Sequence, residues 1–114
     1  MIVQRKEMKT EVMEKMRDGE GSAKLTYLVD ASREKHTRLL AEVTLESGCS
    51  IGYHPHNDET EYYFILSGIG TVNDDGKEVT VKAGDSVITG NGASHSIKNS
   101  GNEPLVFHAV IITY

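Results

Sequence analysis

From Gly52 to Gly68 the chain reads GYHPHNDETEYYFILSG. Two histidines sit one residue apart, a glutamate follows, and a run of apolar and aromatic residues closes the stretch. Side chains alternate faces along a strand, so on a strand Ile51–His56 the rings of His54 and His56 point the same way and Pro55 the other. Strand rise separates the two by about 7 Å, a gap that two ligands converging on one ion can close. A short loop, Asn57–Thr60, would reverse the chain, so that Glu61 opens the next strand and meets the imidazoles from alongside. Five histidines occur in the chain, so a chance H-x-H has odds of roughly one in five and the spacing alone decides little.

Working outward, the 114 residues suit one domain, long enough to bury a single core. Twelve basic residues against seventeen acidic give a net charge of -5, which argues against binding a phosphate backbone. Nothing approaches the roughly 18 apolar residues of a membrane span, and the first residues hold no apolar signal core. One cysteine, Cys49, excludes an internal disulfide and fits a reducing compartment. The expectation is therefore a cytoplasmic protein that binds neither nucleic acid nor membrane.

Short runs rich in Val, Ile, Thr and Tyr, punctuated by eleven glycines, predict many short strands. They fall near 25–29, 37–45, 51–56, 61–66, 70–73, 78–81, 86–89, 95–98 and 105–113. Asp74-Asp75-Gly76 predicts a tight hairpin. Turn signals every eight to twelve residues point to an all-β sandwich or barrel. Residues 1–22 are expected as an N-terminal arm ahead of a barrel domain over 23–114. Met8, Val12 and Met16 would share a helical face, but Gly19 and Gly21 follow at once and an extended arm fits equally.

A third histidine, His95, lies in GASHSIKN. Three imidazoles and one carboxylate suit Mn, Fe, Ni, Co or Zn, and four protein ligands leave two positions of an octahedron for water, dioxygen or a bidentate substrate. The spacing around them is specific. Gly48, five residues, His54-x-His56, four residues, Glu61, six residues and Gly68 form one pattern. Gly84, five residues, a turn, Gly92, two residues, His95, three residues and Asn99 form a second. Together they resemble the two motifs of the cupin superfamily, and chance would produce both at about one in ten million. The resemblance implies a jelly-roll double-stranded β-helix holding one divalent metal through His54, His56, Glu61 and His95, with Mn, Fe or Ni ahead of Zn, and it implies a homodimer. The chain is also similar to small single-domain, oxalate-decarboxylase-like cupins. Two departures stand out. Gly90 replaces the usual proline of the second motif, which implies a more flexible turn rather than a lost site. Ile51 stands where oxalate-decarboxylating members place an arginine.

By parity Tyr63 and Ile65 share the inward face with Glu61, while Tyr62 and Phe64 point outward. Tyr63 is the one candidate catalytic residue, a phenol able to donate to a metal-bound ligand or simply to fill the barrel. Cys49 is expected as a small buried hydrophobe, His36 as a solvated residue, His108 as a packed or supporting histidine and Asn99 as a turn-former. Arg38 could reach a carboxylate substrate. Two functions follow: a metalloenzyme of dioxygenase or decarboxylase type acting on a small polar or carboxylate-bearing molecule, or a non-catalytic metal and small-ligand binder. Tyr62, Phe64 and Leu66 form an apolar outward row that a second copy would cover.

Overall fold

The computed structural model describes residues 1–114. Ten strands follow in order: β1 Thr10–Glu14, β2 Ser22–Tyr27, β3 Thr37–Leu45, β4 Ser50–Pro55, β5 Glu59–Ser67, β6 Ile69–Asp74, β7 Lys77–Lys82, β8 Ser86–Gly90, β9 Ser94–Asn99 and β10 Leu105–Thr113. One sheet runs β1-β2-β3-β10-β5-β8 and the other β4-β9-β6-β7, with every pairing antiparallel. The two sheets face each other as a jelly-roll barrel, the all-β fold expected.

Alternation builds the interior. On β3 the inward set is Ala41, Val43 and Leu45; on β10 it is Leu105, Phe107, Ala109 and Ile111, all buried. Along β5 the inward residues run Glu59, Glu61, Tyr63, Ile65, and along β9 they run His95, Ile97, Asn99. Register sets Glu61 beside Ile111 and Tyr63 beside Ala109, so the polar side chains gather toward one end of the barrel and Leu45, Leu105 and Ile97 fill the rest. Burying side chains such as these contributes about 1.5–3 kcal/mol each.

Two features of the ladder position the site. In β4, Ile51 pairs with Ile97 and His54 with His95, so Gly52 and Tyr53 oppose a single residue of β9. This bulge lets Ile51 and His54, three residues apart, both point inward. Glycine is required at 52 because a Cβ there would lie 1.9 Å from the Arg17 carbonyl oxygen. In β3, Leu39 pairs with Ile111 and Thr37 with Ile112, leaving Arg38 as an extra residue.

Most strands lie within two or three residues of their expected places, and β3 and β10 coincide with theirs. The hairpin between β6 and β7 turns on Asp75 and Gly76, both at positive φ. Of the two conformations open to residues 1–22, the extended one is found. Thr10–Glu14 pairs with Ser22–Tyr27, and single 3-10 turns at Arg5–Glu7 and Met16–Asp18 flank β1. Gly90 closes β8 opposite Thr60, whose Oγ1 would lie 2.4 Å from an added Cβ; its role is to leave room for that side chain. Asn99 donates from Nδ2 to the carbonyls of Leu45 and Glu103 and accepts from Gly101 N, tying the turn as expected.

Candidate metal centre

Strands β4, β5 and β9 bring together His54, Glu61 and His95. His56 joins them from one residue past the end of β4, which stops at Pro55 rather than at the expected His56. All four are buried, from 1% exposed for His95 to 7% for His54. His56 Nε2 lies 3.1 Å from His54 Nε2 and 3.0 Å from His95 Nε2, and the third side of the triangle is 3.2 Å. Glu61 Oε1 sits 2.9 Å from both His56 Nε2 and His95 Nε2. The four donor atoms lie within 4.8 Å of one another.

What holds each ring decides which nitrogen faces inward. His54 Nδ1 donates to the Gly52 carbonyl at 2.6 Å, and His56 Nδ1 donates to Glu59 Oε2 at 2.5 Å. Thr89 Oγ1 lies 2.9 Å from His95 Nδ1, a hydroxyl able either to accept from that nitrogen or to donate to it. A carbonyl and an ionised carboxylate only accept, so the protons of His54 and His56 sit on Nδ1 and their Nε2 lone pairs turn inward, toward His95 Nε2 and Glu61. Two lone pairs and a carboxylate oxygen at such separations repel unless a cation lies among them. Consistently, Glu61 Oε1 is buried with no hydrogen-bond partner. The donor set therefore fits a divalent transition metal.

Without a cation the electrostatics divide the rings. Burial, joined by the charges of His95 and His56, outweighs the Gly52 carbonyl and lowers His54 to about 4. Burial works against the charged form of His56 too, but Glu61 and Glu59 outweigh it and raise that ring. Burial pushes the Glu61 carboxyl up, yet the two imidazoles facing it bring it down to about 2. A bound metal would take the place of the proton that His56 gains.

Tyr63 lies on the inward face as expected, fully buried, stacked on His95 at 4.8 Å between centroids and tilted against Phe107 at 4.5 Å. Its hydroxyl is 3.4 Å from His95 Nε2, and burial followed by the Glu61 charge raises its pKa well above the ordinary phenol value. It stays a neutral O–H facing the centre.

Other expectations fare variously. Arg38 does not stand free for a substrate; it pairs with Glu59, so that possibility is corrected. His108 is packed on the outer face of β10, 3.3 Å from Glu42, away from the centre. His36 is exposed, and Cys49 is half-buried against the edge of the core. The loop expected over 57–60 is shorter, because β5 already begins at Glu59. That is why Glu59 went unread as a site residue, although it lies two positions before Glu61 on the same face. Thr89 opposes Glu61 in the register and gives no sequence signal of its own.

Residues 41–111 match the cupin domain family. An oxalate-binding protein of Thermotoga maritima is 42% identical over 113 residues, covering 98% of this chain and 93% of its own length. A crystal structure described as a predicted oxalate decarboxylase from the same organism superposes with a TM-score of 0.94, at 42% identity, over the whole of both chains. The polyketide cyclase of Streptomyces resistomycificus, 18% identical, shares the fold alone, with a TM-score of 0.77 over 97% of this chain and 77% of its own. Motif, barrel, buried donor cluster and relatives agree, and the chain belongs to the cupin family.

Proposed function

We propose that this cupin binds one divalent metal through His54, His56, Glu61 and His95, and through the metal a small dicarboxylate of the oxalate class. The observation that carries it is the convergence of four buried donor atoms with their lone pairs inward. Five of the six donor separations are 2.9–3.2 Å, which supports Mn, Fe or Ni ahead of Zn. With bonds of about 2.1 Å an octahedron has edges of about 3.0 Å, against about 3.4 Å for a tetrahedron. When bound, the metal supplies Lewis acidity that orients a carboxylate. The chain itself holds the donors, excludes bulk water and offers the Tyr63 hydroxyl. Its likeness to the Thermotoga oxalate-binding protein supports the ligand class.

Binding is favoured over turnover because the neighbouring ionisable groups are committed: Glu59 to Arg38 and His56, Glu61 to the donor set. The second reading is a decarboxylase or dioxygenase of the same ligand, favoured by the neutral Tyr63 hydroxyl 3.4 Å from His95 Nε2. Metal analysis with calorimetric titration of oxalate, with and without Mn²⁺, tests the first. Metal-dependent oxalate binding without carbon dioxide release or oxygen uptake supports it, release or uptake moves the assignment to the second, and failure to bind metal at micromolar concentration refutes both.

A homodimer in a cytoplasmic setting belongs to the same proposal. Phe64, Leu66 and Ile88 are exposed on the outer face and edge of the larger sheet, and Tyr62 stacks on Phe64. Light scattering should give twice the chain mass and Phe64→Glu half of that; a monomeric wild type sinks the dimer.

A further inference from the structure

We propose that Arg38 and Glu59 form a positioning pair that aims His56 and sets how tightly the centre holds its metal. The inference rests on the metal reading above and extends it to two residues that touch no metal.

Parity alone would send Arg38 outward with Leu40 and Glu42. The β3 bulge at Arg38 removes it from that alternation, and bulges beside sites re-aim side chains in this way. Its guanidinium reaches Glu59 through two bonds, Nε to Oε1 and one terminal nitrogen to Oε2, each 2.8 Å. The planar fork matches the carboxylate and fixes its plane. Glu59 is itself buried, and its Oε2 accepts from His56 Nδ1. Three strand devices therefore end on one imidazole: the bulge, the ion pair and the phase Glu59 shares with Glu61.

The charge count explains why a pair is used rather than a lone carboxylate. An anionic acceptor makes the opposite ring nitrogen a stronger donor to a metal. A lone Glu59 would add a second negative charge beside Glu61 and oppose an anionic ligand. Paired with Arg38 it strengthens His56 while adding no net charge. The outer face carries a built-in comparison: Arg5, Glu42 and His108 repeat the same residue types at 2.6 and 3.3 Å, but His108 belongs to no donor set.

The test uses the full chain, with Mn²⁺ as the affinity probe in competition with a chelator and Co²⁺ as the spectroscopic one. Glu59→Gln should weaken Mn²⁺ binding about 10- to 100-fold and shift the visible Co²⁺ bands. Arg38→Gln should shift the Co²⁺ bands too, because it frees the plane of the Glu59 carboxylate, with a smaller change in affinity because the uncovered Glu59 charge attracts the cation. Glu42→Gln should change neither readout. Glu59→Gln matching Glu42→Gln in both overturns the inference. Should Glu59→Gln not fold, the half-exposed Arg38 decides it, and wild-type affinity and bands in Arg38→Gln overturn it. If wild type takes up no Mn²⁺, the metal reading fails by itself. The pair is then judged in the metal-free protein by the His56 Nδ1 proton resonance, whose persistence unchanged in Glu59→Gln overturns it and whose loss supports it.

Discussion

Stripped of metal, the protein should lose stability on mild acidification through His54. Its ring is 7% exposed and its pKa is lowered to about 4 from 6.5, chiefly by burial. A histidine whose folded pKa lies below its unfolded value takes up protons preferentially once the chain opens. Its contribution is complete above pH 6.5 and is withdrawn as the pH falls toward 4. The full shift corresponds to about 3 kcal/mol, of which about 2 kcal/mol is gone by pH 5. His56 works in the opposite sense, because its raised pKa contributes stability that is complete below pH 6.5 and is lost as the pH rises through its higher folded value. Wild type alone would mix the two, so the measurement is a comparison with His54→Asn. Urea unfolding followed by circular dichroism in excess chelator, at pH 7.5, 6 and 5, gives both curves. Between pH 7.5 and 5 wild type should lose about 2 kcal/mol more than the variant. Identical pH dependence in the two proteins, or a steeper loss in the variant, would refute the reasoning about His54.

Loading the centre should stabilise the fold by mass action, since its donors join the two sheets. Free Mn²⁺ at 100 times its dissociation constant contributes about 2.7 kcal/mol, which for a chain of this length raises Tm by about 11 °C in scanning calorimetry. His56→Ala should abolish the rise. Tyr63→Phe should keep the metal and cost no more than about 1 kcal/mol of stability, yet weaken oxalate binding in titration calorimetry. Unchanged oxalate affinity would reduce Tyr63 to a packing residue. Asn99→Ala strips the buried carbonyl of Leu45 of its side-chain donor and frees the turn at Gly101, costing about 2–3 kcal/mol by urea melt with metal affinity unchanged.

The barrel and its donor set were legible because both are written at fixed spacing. Alternation gives the inward face of a strand, and His54, His56, Glu61, His95 and Tyr63 each lie on a run regular enough to read that way. What alternation cannot register is a residue that the ladder leaves unpaired. The bulges at Gly52–Tyr53 and at Arg38 change the face of what precedes or follows them, and they depend on the partner strand as much as on their own residues. The sequence therefore leaves Arg38 free to reach a substrate, whereas the ladder turns it to Glu59. Glu59 itself was lost to a loop drawn two residues too long. The helical spacing of Met8, Val12 and Met16 was outcompeted by the edge of β2, which gives residues 10–14 a ladder to join.

The three ring orientations are held by three chemically different partners: a main-chain carbonyl for His54, a carboxylate for His56 and a hydroxyl for His95. They differ in what a point mutation can reach. One codon change at Glu59 or Thr89 alters the donor strength of its imidazole, so both rings can be retuned in small steps. No side-chain replacement deletes the Gly52 carbonyl, and a side chain at 52, which would meet the Arg17 carbonyl, would displace it rather than remove it. His54 is thus the heritable constant of the centre, and variation in metal preference among descendants of this sequence should enter through the other two.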